Sequence, residues 1–254
     1  MYRANPMKTK LRAGQAVVGC WLQTTSSDVA EVLGRAGFDF LLIDHEHGQG
    51  TIPQAIDQLR AMKGTETASL MRVPWNDLAY IKRALDAGVE GIMVPMIENA
   101  EQARAAVGAC LYPPRGMRGA AGTARGSGYG YDGAAYWKGI DDSVLVVLQI
   151  ESAVASKNIP EIAAVPGIDV LFIGPRDLSG SIGKLGQFND PEVKDLLRRT
   201  EERALASGKW VATVAGSAAE ARALIDRGYR IVVPASEVSL LKSGAADLLK
   251  TVRG

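Results

Sequence analysis

The sequence predicts an α/β protein of the closed (β/α)8, or TIM, barrel class, a single domain over residues 1–254, on three observations. The chain has 254 residues, the usual size for eight strand–helix pairs around one core. Eight short runs rich in branched apolar residues alternate with helical stretches. Most of those runs are almost continuously apolar, as parallel strands covered on both faces should be. The same elements could lie in an open doubly wound sheet; the count of eight favours closure.

In order, strands are expected at 16–22 (AVVGCWL), 39–44 (DFLLID), 68–73 (ASLMRV) and 90–95 (EGIMVP). Four more follow at 144–150 (VLVVLQI), 169–174 (DVLFIG), 210–215 (WVATVA) and 230–234 (RIVVP). The stretches between them include SSDVAEVLGRAG, TIPQAIDQLRAMKG, NDLAYIKRALDAG, NAEQARAAVGACL and DPEVKDLLRRTEERALASG. Several open with Ser, Asn or Asp and close with Gly, the start and stop signals of helices. A last helix, SLLKSGAADLLKTVRG, follows the eighth strand. The leading MYRANPMKTKLRAG is mildly basic and lacks the apolar run of a signal peptide. No stretch approaches the about 18 apolar residues that span a bilayer.

Residues 112–142 break the rhythm, with seven glycines from Gly116 to Gly133. They are expected as a glycine-rich loop insertion without secondary structure of its own, serving binding or subunit contact. Gly126, Gly128 and Gly130 are spaced loosely like a dinucleotide loop, but no strand leads into them and that reading is discarded.

Lys and Arg total 29 against 28 Asp and Glu, a net charge of +1. That balance gives no electrostatic reason to expect nucleic acid or an anionic membrane as partner. Small molecules and copies of the chain are the expected partners. Cys20 and Cys110 sit in separate apolar segments and read as reduced core residues, with the cytoplasm as compartment.

Catalytic groups of such barrels gather at the C-terminal strand ends. Strand two ends in Asp44-His45-Glu46-His47, strand three delivers Arg72, and strand five delivers Gln149 and Glu151. Strand six runs through Gly174 and Pro175 into Arg176 and Asp177. His45 and His47 are the only histidines. Residues two apart on an extended segment are expected here on opposite sides, so only one need face the pocket, and the sequence leaves open which. Glu151 and Asp177 form the natural metal pair, since a carboxylate beyond an apolar strand calls for a cation or donor. Two carboxylates without imidazole or thiolate suit a hard octahedral ion whose other positions are water and substrate. Alternatively, each accepts backbone amides at a helix start. Arg72 suits a structural ion pair, a substrate carboxylate or a developing enolate oxygen. The amides of Arg176 and Asp177 offer a second anion site if they open a helical turn. The lysines fall on helices, loops or the start of strand seven (Lys209), which argues against Schiff-base chemistry. The set suits enolate formation on a small 2-oxo acid.

The motifs GFDFLLIDHEHG, MRVPWND, GIMVPMIENAEQAR, YPPRGMRG, VLQIES and GIDVLFIGPRDLSGSIG occur in this order. With them the chain resembles the HpcH/HpaI aldolase family over essentially its whole length. The resemblance implies a hexameric class II aldolase that joins pyruvate, or an analogue such as hydroxypyruvate, to an aldehyde, or splits the product, with Mg2+, Mn2+ or Co2+. It further implies His47 as base, Asp44 as its partner, Arg72 on the 2-oxo group, and Glu151 and Asp177 as metal ligands. Gln149 would support the metal, and the amides after Pro175 would take the carboxylate. Asp86 would join the base's network from a neighbouring subunit, and Trp21 and Val214 would shape the aldehyde side. His45 departs from the family pattern, which often has glycine or a small or apolar residue there. Arg176 replaces a common alanine and suits an anionic substrate tail. Decarboxylation of an oxaloacetate-type acid would use the same residues, and the sequence leaves both reactions open.

Overall fold

The computed structural model describes residues 3–254. Eight parallel strands close on themselves in sequence order, each hydrogen-bonded to the next and the last to the first. They are β1 (Val17–Leu22), β2 (Phe40–Asp44), β3 (Ala68–Arg72), β4 (Gly91–Val94), β5 (Leu145–Ile150), β6 (Val170–Ile173), β7 (Trp210–Val214) and β8 (Ile231–Ser236). All eight lie where the apolar runs place them. The fold is the expected (β/α)8 barrel.

The side-chain period of a strand sorts this sequence into two cores. Val17, Phe40, Leu42, Leu70, Met93, Val147, Val170, Phe172, Ala212 and Val233 fill the barrel interior. Their neighbours Leu41, Ile43, Met71, Ile92, Val146, Leu148, Leu171 and Val232 face the helices. Both faces are thus apolar, which is why the runs read as continuous. Gly19 makes the interior possible, since a Cβ there would lie 2.2 Å from the ring of Phe40.

The outer ring comprises α2 (Ser27–Arg35), α3 (Ile52–Ala61), α4 (Leu78–Ala87), α5 (Ala100–Cys110), α7 (Ala153–Ala163), α9 (Pro191–Ala206), α10 (Ala218–Asp226) and α11 (Glu237–Arg253). Ser26, Asp77, Asn99, Ser152, Asp190, Ser217 and Ser236 accept amides at the helix starts, as N-caps do. Between β6 and α9 a short helix, α8 (Pro175–Gly180), begins directly at the strand end.

Two regions differ from expectation. The basic leading segment contains a helix, α1 (Pro6–Arg12), capped by Asn5. Its Met7 and Leu11 belong to the interior cluster and close the N-terminal end of the barrel. Lys8 Nζ is held there by Asp169 at 2.9 Å and donates to the Val144 carbonyl at 2.7 Å. Only two strongly apolar positions, a turn apart, carry this docking, too few to give an amphipathic signal. In residues 112–142 the expected unstructured loop gives way to a 3-10 turn (Arg125–Gly130) and α6 (Gly133–Ser143). The glycines concealed them. Tyr136 of α6 is buried, its ring edge-on to Tyr112 and its hydroxyl 3.2 Å from the Tyr112 hydroxyl, which ties the helix to the segment that follows α5. Among the described residues no helix is long and apolar enough to cross a membrane.

Candidate active site

Strand alternation decides which side chains reach the mouth. Asp44 continues the inward row of Phe40 and Leu42, Arg72 that of Ala68 and Leu70, and Gln149 that of Leu145 and Val147. Glu151 lies one step beyond β5 on the same face. Trp21 and Val214 end the inward rows of β1 and β7 and pack on the interior cluster.

Arg72 is the hub. Asp44 and Arg72 are register neighbours across β2 and β3. Arg72 donates from Nε to Asp44 Oδ1 at 2.9 Å and from Nη2 to Oδ2 at 2.7 Å, a two-pronged pair in which both residues are buried. Nη1 lies 2.9 Å from Glu46 Oε2, an ion pair without hydrogen-bond direction. The guanidinium carbon sits 4.3 Å from the centre of the Trp21 ring, a cation–π contact. Burial raises the Asp44 carboxyl, but the Arg72 bonds and the amides of Glu46 and His47 outweigh it and hold it below its ordinary value.

Glu151 has the opposite surroundings. It is buried at the mouth, and burial pushes its carboxyl up to about 7, with the like charges of Glu46 and Asp177 adding to the rise. Met96 opposes the shift by donating its backbone amide to Oε1 at 2.7 Å, and Met96 adopts a positive φ of 55° in doing so. Gln149 Nε2 donates to Oε2 at 3.0 Å, and Gln149 Oε1 is buried and without a partner among the described residues. Glycine at 174 is required by this carboxylate, because a Cβ would lie 2.7 Å from Glu151 Oε2. Asp177 stands exposed in the first turn of α8, close enough for its charge to raise both Glu46 and Glu151. Burial lifts the Glu46 carboxyl as well, against Arg72 and His47. Carboxylates of Glu46, Glu151 and Asp177 therefore crowd one opening.

Such crowding is what a divalent cation relieves, and the donors are hard oxygens. Among the described residues no three His, Cys, Asp or Glu side chains form a closed cage. Glu151 and Asp177 are the carboxylates at this opening that could serve such an ion.

The two histidines part as expected, but not through strand alternation, which sets residues two apart on one face: β2 ends at Asp44 and the chain turns over residues 45–48. His45 is buried behind β2, with Nδ1 2.8 Å from the Tyr80 hydroxyl of α4. His47 projects at the mouth, its side chain 62% exposed and its Nε2 3.9 Å from Glu46 Oε2. Asp44 meets His47 only through the latter's backbone amide, at 3.3 Å. Its side-chain partner is Arg72. Pro175 opens α8, and Arg176 and Asp177 lie in its first turn, exposed. Asp86 lies in the last turn of α4, which runs back from the mouth, and there it pairs with buried Arg118 at 2.7 Å. Within one chain it does not meet the other site residues.

Sequence reading placed Glu46 at the mouth without giving it a role, and passed over Met96 and Tyr80. Glu46 shares Asp44's parity, a usable signal. Met96 contributes only an amide, which no side chain announces.

A model of the HpcH/HpaI aldolase/citrate lyase family matches residues 17–243. The chain is 41% identical over 248 residues to a 2-dehydro-3,6-dideoxy-6-sulfogluconate aldolase of Pseudomonas putida, covering 96% of this chain and 95% of that one. It is 38% identical over 252 residues to a hydroxypyruvate/pyruvate aldolase of Roseobacter denitrificans, covering 98% of each. The crystal structure of an HpcH/HpaI aldolase/citrate lyase family protein from Burkholderia cenocepacia superposes with a TM-score of 0.94 at 35% identity, over 98% of this chain and 100% of that one. With relatives this similar over nearly the full barrel, the chain belongs to the HpcH/HpaI aldolase/citrate lyase family.

Proposed function

We propose that this enzyme is a class II aldolase that adds pyruvate or hydroxypyruvate to an aldehyde, or splits the product, through an enolate. The carbon–carbon lyase class rests on relatives named as aldolases at 35–41% identity over nearly the whole chain. The observation that carries the site assignment is the crowding of Glu46, Glu151 and Asp177, where burial and then like charge lift Glu151 to about 7 beside a buried Gln149 Oε1 that has no partner among the described residues. Glu151 and Asp177 would hold the divalent cation (Mg2+, Mn2+ or Co2+), with Gln149 in support. Bound there, the ion would act as a Lewis acid toward the 2-oxo acid.

The chain's own groups divide the remaining work. Arg72, fixed by Asp44, Glu46 and Trp21, presents a cation to the oxygen on which enolate charge develops, already aligned before substrate arrives. The amides of Arg176 and Asp177 face the substrate carboxylate. His47, exposed at the mouth, takes the methyl proton, and Glu46 rather than Asp44 is the carboxylate nearest its ring. Trp21 and Val214 wall the aldehyde side, and Arg176 suits an aldehyde with an anionic tail. Asp86 enters this network only if another copy brings it.

Assembly of copies is part of the proposal, as the family's hexamer. It is supported by α11, which exposes Leu240, Leu241, Leu248, Leu249 and Val252, and by residues 112–142, which expose Met117, Tyr129, Tyr131 and Trp137. We place that segment at a subunit contact and the enzyme in the cytoplasm, a reading supported by two free, buried cysteines.

Exchange of pyruvate methyl protons in D2O, followed by NMR, tests the enolate step without an aldehyde. Wild type with Mn2+ should exchange, EDTA should stop it, and Glu151→Ala should slow it roughly 100-fold or more. Exchange that survives EDTA and Glu151→Ala would remove the site assignment. A panel of neutral, carboxylated and sulfonated aldehydes then identifies the acceptor.

A further inference from the structure

We propose that His45 and Tyr80 form a partly buried strut that positions the Glu46–His47 segment at the mouth. The inference rests on the reading of His47 as base and adds a pair of positioning residues behind it. Four residues, Asp44 to His47, turn the chain out of β2. On the mouth side the turn is clamped by Asp44 Oδ1, which accepts the amides of Glu46 at 3.1 Å and His47 at 3.3 Å. On the opposite side the fixed point is His45. Its amide donates to the Arg72 carbonyl at 2.9 Å, and its Nδ1 lies 2.8 Å from the Tyr80 hydroxyl, the rings edge to face at 6.0 Å. Tyr80 is itself fixed, since its amide donates at 2.7 Å to Asp77, the cap of α4. The segment beyond His47 folds over the imidazole so closely that a Cβ at Gly50 would lie 2.8 Å from His45 Nε2.

A histidine is a poor choice for stability alone at this place. Nε2 is buried with no partner among the described residues, and burial lowers the ring's affinity for a proton. An unpaired buried polar atom destabilises, and a leucine of similar volume would avoid it. What the imidazole adds is direction. One hydrogen bond to an anchored hydroxyl fixes the ring's rotation and with it the backbone that carries Glu46, paired with Arg72, and His47 beside it. Misplacing a catalytic group by about 1 Å is enough to slow a reaction that depends on alignment.

Tyr80→Phe deletes one oxygen and leaves the ring's packing. In the metal-loaded enzyme it should lower the kcat of methyl-proton exchange about tenfold while KM for pyruvate moves less than about twofold. His45→Asn keeps a hydrogen-bonding atom near the Nδ1 position and should retain more of kcat than His45→Leu. Because the strut acts through His47, Tyr80→Phe should have little further effect in a His47→Ala background, a coupling that a double-mutant cycle reads directly. An unchanged kcat in Tyr80→Phe, or additive losses in the cycle, would overturn the proposal. Wild-type enzyme without exchange would instead remove the function proposed above. The strut would then stand or fall on hydrogen–deuterium exchange alone: faster exchange of amides 45–51 in Tyr80→Phe supports it, and no change overturns it.

Discussion

Two carboxylates in one barrel mouth show how neighbours set charge. Asp44 and Glu151 are both buried, yet the Arg72 guanidinium holds Asp44 below its ordinary value, while burial, with the like charges of Glu46 and Asp177 adding, lifts Glu151 to about 7. Glu151 titrates near 4.5 in an unfolded chain, so folding takes up a proton between pH 4.5 and 7. The stability carried by its protonated form is fully present below pH 4.5 and is lost as pH rises through 7. Metal-free Glu151→Gln should therefore unfold at higher urea than wild type at pH 8, by up to ~3 kcal/mol, with the gap closing toward pH 5. A pH-independent gap would mean that the carboxyl is not buried as described. Arg72→Lys tests the other carboxylate. Lysine keeps the charge but neither forks onto Asp44 nor lies flat on Trp21, and kcat/KM should fall roughly 100-fold. A drop under about threefold would reduce Arg72 to a point charge.

At the scale of elements, what the sequence revealed tracks how many residues carry each signal. Each strand is a run of four to six apolar or site residues backed by a capped helix, and all eight were legible. So was the convergence of Arg72, Gln149, Glu151 and Asp177, because parity and strand ends suffice to aim them. The plug α1 was illegible because its energy is concentrated in Met7, Leu11 and Lys8, while the surrounding Lys10 and Arg12 dominate its composition. Helix α6 was hidden by glycines that precede it. The parting of His45 from His47 was expected, but Tyr80 as His45's partner was not, since it belongs to another element 35 residues on. If α1 is an integral plug rather than an appendage, Met7→Ala should behave as a core truncation and lose about 2–5 kcal/mol. Urea unfolding measures it, and a loss below about 0.5 kcal/mol would place Met7 at the surface.

For the molecule as a whole, the open question is what covers α11. Its residues Leu241, Ala245, Leu248 and Val252 recur at helical spacing and so share one side, and Leu241 and Leu248 are 63% and 64% exposed. A single surface leucine needs no explanation, but a continuous stripe on a 17-residue helix that buries only Glu237 is the kind of face that the proposed assembly would cover. Burying one leucine against another copy contributes about 1.5–3 kcal/mol. In an isolated chain, replacing an exposed side chain changes stability by only about 0.5 kcal/mol either way. Leu241→Glu with Leu248→Glu therefore separates the cases. If α11 packs between copies, light scattering should show the mass fall to a smaller species, and the unfolding temperature should become dependent on protein concentration. If mass and melting stay as in wild type, α11 is a solvent-facing helix and the assembly must be built elsewhere, with the exposed aromatic side chains of residues 112–142 next to be tested.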